Sequence, residues 1–363
     1  MSVHFFTGFP GFIASQLIRQ VFKDGKTKQV FAVVLAPDFA KAEQEKENIK
    51  AEYPHCQIEL FEGDITLPNL GICNLEIETI RPRISVLWHL AAIYDFAVPR
   101  KIAWKVNVHG TTCVNEFARK LPNLKRYLYF STAYVAGKRT GTLFETELVR
   151  PAEFKNFYEE TKFEAELRVE DLKKELPITI IRPAIVRGHS ETGATVKFDG
   201  PYFFLNMIDR LRGRWVPFVP HVGGKVTTLN VVPVDYVFNA VSYISTSPDA
   251  VGKTLHLTDP NPHLVNDMFR EMVKEMTGKY PLGRLPIGIT KIGLGFRKIR
   301  QKLGVEYETI DYLDWQATFD CSEAQKILAA SGIRCQDFMD TLPAMVRYYN
   351  DNKNTKQYHI IIK

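Results

Sequence analysis

The sequence predicts an α/β fold, a doubly wound parallel sheet followed by a smaller, mixed and mostly helical C-terminal lobe. Three observations predict it. Short apolar, β-prone runs alternate with stretches of helical periodicity through the first half of the chain. Several of those runs are apolar without a break, as in strands buried on both faces. After Arg182 the rhythm gives way to a region rich in Gly, Pro and aromatic residues, with Gly188, Gly193, Gly200 and Pro201 marking loops.

In chain order, residues 3–7 form a β-prone run, and residues 11–22 follow with Ile13, Leu17, Ile18 and Val21 at helical spacing. Residues 30–35 are a continuous apolar strand, 39–53 a charged helix, and 57–61 and 85–90 two further strands. A helix over 98–120 precedes a strand at 126–131, and a helix over 154–175 leads into a strand at 178–182. Such alternation implies right-handed crossovers and parallel pairing. Beyond it, short strands are expected at 227–231 and 254–257 and helices at 233–244 and 265–276; the last hundred residues read as mostly helical.

The 363 residues suffice for two to three domain-sized units, and 45% of them are hydrophobic. Cys56, Cys73, Cys113, Cys321 and Cys335 are scattered without a CxxC pair, which argues against a disulfide framework and a thiolate metal site. No His/Asp/Glu cluster has metal-ligand spacing, so no metal is expected. The apolar N-terminus has no basic start and is broken by glycines, unlike a signal peptide, and no run is long enough for a membrane span. The expectation is a cytoplasmic protein. The +6 charge is mild; much of it sits in residues 279–302, with Lys279, Arg284, Lys291, Arg297, Lys298, Arg300 and Lys302 and no acid until Glu306. That stretch either faces water or meets an acidic carrier, a phosphate-rich ligand or an anionic membrane surface peripherally. No basic patch interleaved with stacking aromatics points to nucleic acid.

Three motifs carry chemistry. Thr7-Gly8-Phe9-Pro10-Gly11-Phe12-Ile13-Ala14 lies between the first strand and the first helix. There Gly8 permits a sharp turn, Gly11 a close backbone approach to phosphates and Ala14 tight helix–strand packing, the pattern of a dinucleotide pyrophosphate site in a Rossmann-type fold. Tyr158 and Lys162 stand at i, i+4 on one helix face, where a cation lowers the phenol pKa and fits it for acid/base work near neutral pH. Ser131-Thr132 closes a strand at the carboxyl edge of the sheet, where a hydroxyl can bond a substrate carbonyl oxygen.

These motifs, together with His89-Leu90-Ala91-Ala92, Asn107-Val108-His109-Gly110-Thr111 and Ile181-Arg182-Pro183, occur in the order and spacing of the extended short-chain dehydrogenases/reductases, which the first 260 or so residues resemble. Phe130–Gly137 and Ile181–Gly193 resemble the branch of thioester reductase domains and fatty acyl-CoA reductases, with its male sterility-type NAD-binding domain. The resemblance implies an NAD(P)-binding Rossmann domain at 1–184, with 227–244 packing back on it, a substrate-binding lobe at 185–350 and a tail at 351–363. It implies Tyr158 as acid/base, Lys162 supporting it and holding the nicotinamide ribose, and Thr132 orienting the substrate oxygen. Thr7, Gly8, Phe9, Pro10, Gly11, Phe12 and Ile13 would form the cofactor turn. Asp64 would contact the adenine side with Ile65 beside it, Leu90, Ala91 and Ala92 would line the cleft, and Pro183 and Ile185 would border the nicotinamide.

Two positions depart from that branch. Leu35 stands where an arginine often holds the 2′-phosphate of NADP; Asp38 is close by, and Arg19, Lys26, Lys28 or Lys41 could supply the charge instead. His189 stands where relatives often carry an acid, and no role is assigned to it. The implied function is NAD(P)H-dependent reduction of a carbonyl or acyl thioester, NADP(H) favoured over NAD(H), on acyl-CoA or a carrier-bound acyl group. Homodimers through sheet-flanking helices are common in the superfamily. A nucleotide-sugar epimerase or dehydratase, or a hydroxysteroid- or flavonol-type dehydrogenase, would use the same machinery, although Ser190-Glu191-Thr192-Gly193 argues against the first. A non-catalytic cofactor-binding scaffold or sensor fits worst, since both Tyr158 and Lys162 are present.

Overall fold

The computed structural model describes residues 2–94, 98–215, 227–282 and 294–360. Seven strands, β1 (Val3–Thr7), β2 (Gln29–Val34), β3 (Gln57–Glu62), β4 (Ile84–His89), β5 (Arg126–Phe130), β6 (Ile178–Pro183) and β7 (Thr254–Leu257), form the central sheet. Their order is β7-β6-β5-β4-β1-β2-β3 and every pairing is parallel. Two short parallel pairs lie outside it, Gly141–Leu143 with Ala317–Phe319 and Ile185–Arg187 with Val231–Pro233.

The strands alternate their side chains between two buried faces, which is why their sequences are apolar throughout. Phe6, Trp88 and Leu128 face one layer, packed on Leu17, Ile18 and Val21 of α1 (Phe12–Lys23) and on α2 (Phe39–Glu52). Phe5, Leu87 and Tyr127 face the other, against Val114 and Phe117 of α3 (Gly110–Arg119) and Ala165 and Val169 of α4 (Phe157–Glu170). The helices that follow β1 and β4 therefore cover opposite faces. Between the carboxyl ends of these neighbouring strands the chain diverges and a crevice opens.

A second core joins α5 (Tyr202–Trp215), α7 (Val265–Thr277) and α9 (Phe338–Asn352) through Tyr202, Ile208, Phe269, Met272, Leu342 and Met345. The helices α6 (Val234–Ile244) and α8 (Ser322–Leu328) instead pack on the α1 face of the sheet, through Val237, Val241, Ile327 and Leu328. The chain thus returns to the sheet well beyond residue 184. The expected run at 254–257 is β7 of the central sheet rather than part of a separate lobe, because Thr254–Leu257 pairs with Ile180–Pro183. The strand expected at 227–231 is displaced to Val231–Pro233.

The helix expected over 154–175 begins at Phe157, since the Asn156 side chain accepts from the Glu159 N–H at 2.9 Å and fixes the start. The helix expected over 98–120 is interrupted by a π-helical segment, Trp104–His109, a distortion that often marks a functional position.

Beneath the sheet edge lies a buried ion pair, Arg182 with Glu166, whose side chains are almost fully enclosed. Removing one partner strands the other charge in a medium that solvates it poorly. Arg182→Ala should therefore cost about 3–5 kcal/mol of unfolding free energy. Arg119→Ala, which breaks the exposed pair with Glu175, should leave the urea midpoint unchanged.

Candidate active site

The turn after β1 is built by close backbone contact. Gly8 has φ +90°, and a Cβ there would lie 2.8 Å from the Ala91 nitrogen; one on Gly11 would lie 2.6 Å from the Gly8 oxygen. Only glycine lets the β1–α1 turn lie against the loop after β4. The Gly11 N–H donates to the Gly8 carbonyl at 2.8 Å, and α1 begins at Phe12 without a side-chain cap. Its first N–H groups are directed at the crevice, a ready anion site.

Thr7 pins the two loops together. Its hydroxyl oxygen accepts from the Leu90 and Ala91 N–H groups at 3.2 and 3.1 Å and meets His89 Nδ1 at 2.8 Å. With both acceptor positions used, its single hydrogen points at Nδ1. His89 is then the Nε2–H tautomer and donates to Thr111 at 3.0 Å, and Thr111 donates to the Asn107 carbonyl at 2.6 Å. Burial, with a smaller contribution from Lys162, pulls the His89 pKa down to about 3, so the ring stays neutral. Asn107, in the π-helical segment, closes the chain: its side chain accepts from the Ile93 N–H at 2.8 Å and donates to Thr161 of α4 at 3.0 Å.

The crevice is a cleft of about 910 Å³. Gly8, Pro10, Gly11, Phe12 and Ile13 line it at one side, with Leu90, Ala91, Ala92, Pro183 and Ile185, and Thr132, Tyr158 and Lys162 line its far end. These residues are brought together from five separate segments. Thr7 and Phe9 are buried beneath the cleft rather than on its wall. Asp64 and Ile65 are not on the wall either: the Asp64 carboxylate accepts from the Thr66 N–H at 2.8 Å, and Ile65 packs under Gly110. The glycine cradle, the open helix N-terminus and the length of the cleft fit a dinucleotide.

At the end of the cleft nearest α2, Arg19 and Lys41 line the wall. Arg19 is held by Glu45 at 2.7 Å and by both oxygens of Glu52, whereas Lys41 makes no ion pair among the described residues. Lys26 donates to Thr246 and, with Lys28, precedes β2 at the opposite edge of the sheet. Leu35, at the end of β2, is half exposed and is no ligand for phosphate.

At the other end, the Ser131 hydroxyl donates to Glu166, already bound to Arg182, and is thereby committed. Thr132 accepts from the Tyr134 N–H at 3.3 Å and keeps its hydroxyl hydrogen for the cleft. The Tyr158 ring packs edge-on against Tyr94, centroids 5.0 Å apart. Lys162 is almost fully buried and donates to the Phe130 carbonyl and, at 3.1 Å, to the Tyr129 hydroxyl. The i, i+4 cation predicts a lowered phenol pKa; the structure shows the opposite, because burial, aided by the Glu159 charge, pushes the Tyr158 phenol up. Burial also pulls Lys162 down to about 7, against the attraction of Glu166.

Several neighbours carry no sequence signal. Lys155 and Glu159, both fully enclosed, approach to 3.8 Å. The Tyr312 hydroxyl donates to Glu159 at 2.6 Å, and Lys155 lies 3.5 Å from the Trp315 ring centre. Tyr312 also lines the cleft, so a segment from the far end of the chain completes its wall. Asn107 was open to detection, since asparagine is a poor helix former and needs a reason inside one. His189 accepts from the Glu191 N–H and serves its own loop. Among the described residues no group of His, Cys, Asp and Glu could hold a metal, all five cysteines are free, and no helix is long and apolar enough to cross a membrane.

Comparison with known proteins agrees with this architecture. The terminal R domain from the myxalamid PKS-NRPS biosynthetic pathway superposes with a TM-score of 0.81 at 24% identity, covering 98% of this chain and 92% of that one. The fatty acyl-CoA reductase wat of Drosophila melanogaster is 28% identical over 278 residues, which are 65% of this chain and 52% of the fly protein. The non-canonical nonribosomal peptide synthetase cpsA of Aspergillus campestris is 26% identical over 295 residues, 74% of this chain and 27% of the fungal protein. The chain thus spans about half of the one relative and about a quarter of the other. Residues 6–241 match the model of the male sterility protein family, an NAD-binding family, and with its glycine turn, parallel sheet and cleft in place the chain belongs to that family.

Proposed function

We propose that this chain is an NAD(P)H-dependent oxidoreductase that reduces a carbonyl or acyl thioester, taking an acyl-CoA or carrier-bound acyl group to the aldehyde or alcohol. The observation that carries this reading is the convergence of Thr132, Tyr158 and Lys162 on the same cleft that the glycine turn lines. The family, and relatives described as a fatty acyl-CoA reductase and a nonribosomal peptide synthetase, support the thioester.

The dinucleotide would lie along Gly8–Ile13 with its nicotinamide end toward Pro183 and Ile185, and when bound it supplies the hydride that reduces the carbonyl carbon. Thr132 donates to the carbonyl oxygen and orients it. The Tyr158 phenol, kept protonated by burial, gives its proton to that oxygen as negative charge develops. Lys162 stabilises the resulting phenolate through its charge. With a thioester, the hemithioacetal hydroxyl returns its hydrogen as the C–S bond breaks, and the thiol leaves protonated with the aldehyde. The phosphate-rich arm of such a substrate would meet the basic stretch, of which Lys279, Arg297, Lys298, Arg300 and Lys302 are described and Arg284 and Lys291 lie outside the described residues.

NADP(H) is the preferred cofactor on this reading, because Lys41 lines the α2 end of the cleft and makes no ion pair among the described residues. Lys41→Glu should weaken NADPH binding by about tenfold, roughly one charge contact, and leave NADH unaffected, as read by fluorescence titration. Equal effects on the two would separate Lys41 from the 2′-phosphate.

Tyr158→Phe should lower kcat by about 10²–10⁴-fold while NADPH binding is unchanged, measured by stopped-flow absorbance and titration. Lys162 generates a prediction with a definite sign. Its folded-state pKa lies below that of an unfolded lysine, so the unfolded chain binds the extra proton and stability rises with pH from about 7 upward. Burial likewise lowers Lys155 to about 8, so urea unfolding of the cofactor-free protein at pH 7 and 9 should show a larger gain for wild type than for Lys162→Met.

A further inference from the structure

The loop between Ile185–Arg187 and α5 puts a carboxylate, Asp199, on the wall of the cleft. The next residue, Gly200, has φ +53°, and a Cβ there would lie 3.0 Å from the Ile185 side chain, so this loop lies against the part of the cleft assigned to the nicotinamide. Asp199 is the largest electrostatic influence on Tyr94, whose ring packs on that of Tyr158. A charged oxygen pair therefore stands beside the reacting end of an otherwise aromatic and apolar chamber, formed by Tyr94, Tyr134, Phe203, Phe204, Leu229 and Leu313.

Asp199 has no structural employment there. An aspartate just before a helix usually caps it with its side chain, yet the Tyr202 N–H goes to the Asp199 backbone carbonyl at 3.0 Å and the carboxylate takes no cap bond. Among the described residues no cation lies within ion-pair distance of it and no side chain donates to it. The nearest cation, Lys197, is exposed and acts on it only at longer range. Burial raises the Asp199 pKa to about 6 against the smaller opposing effects of Lys197 and of its own backbone N–H, so at neutral pH it is mostly ionised with its desolvation only partly offset. A ligand that brings a cation or a strong donor removes that cost.

From this geometry we infer that Asp199 is a specificity-determining residue that binds an ammonium or amide N–H of the acyl group, so that the substrate class is an aminoacyl or peptidyl thioester rather than a plain fatty acyl thioester. The inference rests on the reductase reading above and names its substrate. A plain acyl chain would leave the carboxylate buried and unpaired, and a site with an unpaired polar group discriminates strongly against the ligand that lacks its partner.

The test compares isosteric pairs of N-acetylcysteamine thioesters, β-alanyl against butyryl and δ-aminovaleryl against hexanoyl, with NADPH. Wild type should favour the amino member of at least one pair by about 10–100-fold in kcat/KM, the worth of a hydrogen bond to a charged group. Asp199→Asn, of the same size, should abolish that preference, read as the ratio of kcat/KM within each pair. Equal or reversed preference in wild type, or preference retained in Asp199→Asn, overturns the inference. Calorimetric titration of the NADPH-bound protein with the matching amides, which cannot be cleaved to a thiol, reads Asp199 without turnover. If no thioester is reduced, the reductase reading fails. The amine-bearing amides binding more tightly to wild type than to Asp199→Asn would still uphold the role of Asp199, and equal binding would overturn it.

Discussion

The contact on which the rest of this structure depends is the approach of two backbones, that of Gly8 and that of Leu90–Ala91, at the carboxyl ends of β1 and β4. The parallel sheet makes these strands neighbours, and opposite crossovers pull their following helices to opposite faces. The resulting gap would be a liability if its loops were loose. Thr7 removes that freedom by spending its whole hydrogen-bonding capacity on the opposing loop and on His89. From there the polarity is passed through His89, Thr111 and Asn107 to Thr161, in the turn of α4 between Tyr158 and Lys162. The glycine turn and the helix that carries Tyr158 and Lys162 are thus held in one frame by a relay of neutral groups, each with a defined direction of donation.

Charge is handled differently, by burying it in pairs or against oxygen. Glu166 takes Arg182 and Ser131 together, which clamps the end of β5 to β6 and α4 and leaves Thr132 as the hydroxyl that faces the cleft. Lys162 sits one turn away, held by the Phe130 carbonyl and the Tyr129 hydroxyl. The combined effect of burial is a phenol that stays protonated and an amine that titrates near neutrality. Both follow from the removal of water around these groups, which outweighs the attraction that their spacing on the helix suggests. Lys155, Glu159 and Tyr312 do the same at the start of α4, where they tie the last hundred residues to that helix.

Much of this was legible in the chain. Continuous apolar runs at β2 and β4 could only be strands covered twice, and the glycines at Gly8 and Gly11 carried the turn with its helix. Tyr158, Lys162 and Thr132 could be singled out because each sits at an element end or on a helix face fixed by local spacing, and the fold brings all three to one cleft. The readings that shifted did so through contacts distant in sequence. Thr254–Leu257 looks like any short strand until Ile180–Pro183 offers it an edge. The resemblance implies Asp64 on the adenine side of the cofactor, and what the fold adds is that its carboxylate accepts from the Thr66 N–H and that it does not line the cleft. The Tyr158 pKa depends on how many groups enclose the phenol, and those come from loops scattered across the chain.

The sequence by itself determined the period of its hydrophobic residues, the positions of its turns, and hence the α/β class, the strand–helix order and the identity of the residues at the strand ends. Those properties are local, set by backbone sterics and by neighbours within a few residues. Tertiary structure alone decided which of those strand-end residues share a cleft, which cations are already held by carboxylates, and that Asp199, on the cleft wall, has no cation within ion-pair distance among the described residues. Pairing and desolvation depend on distances between segments up to a hundred residues or more apart, and no local pattern encodes them.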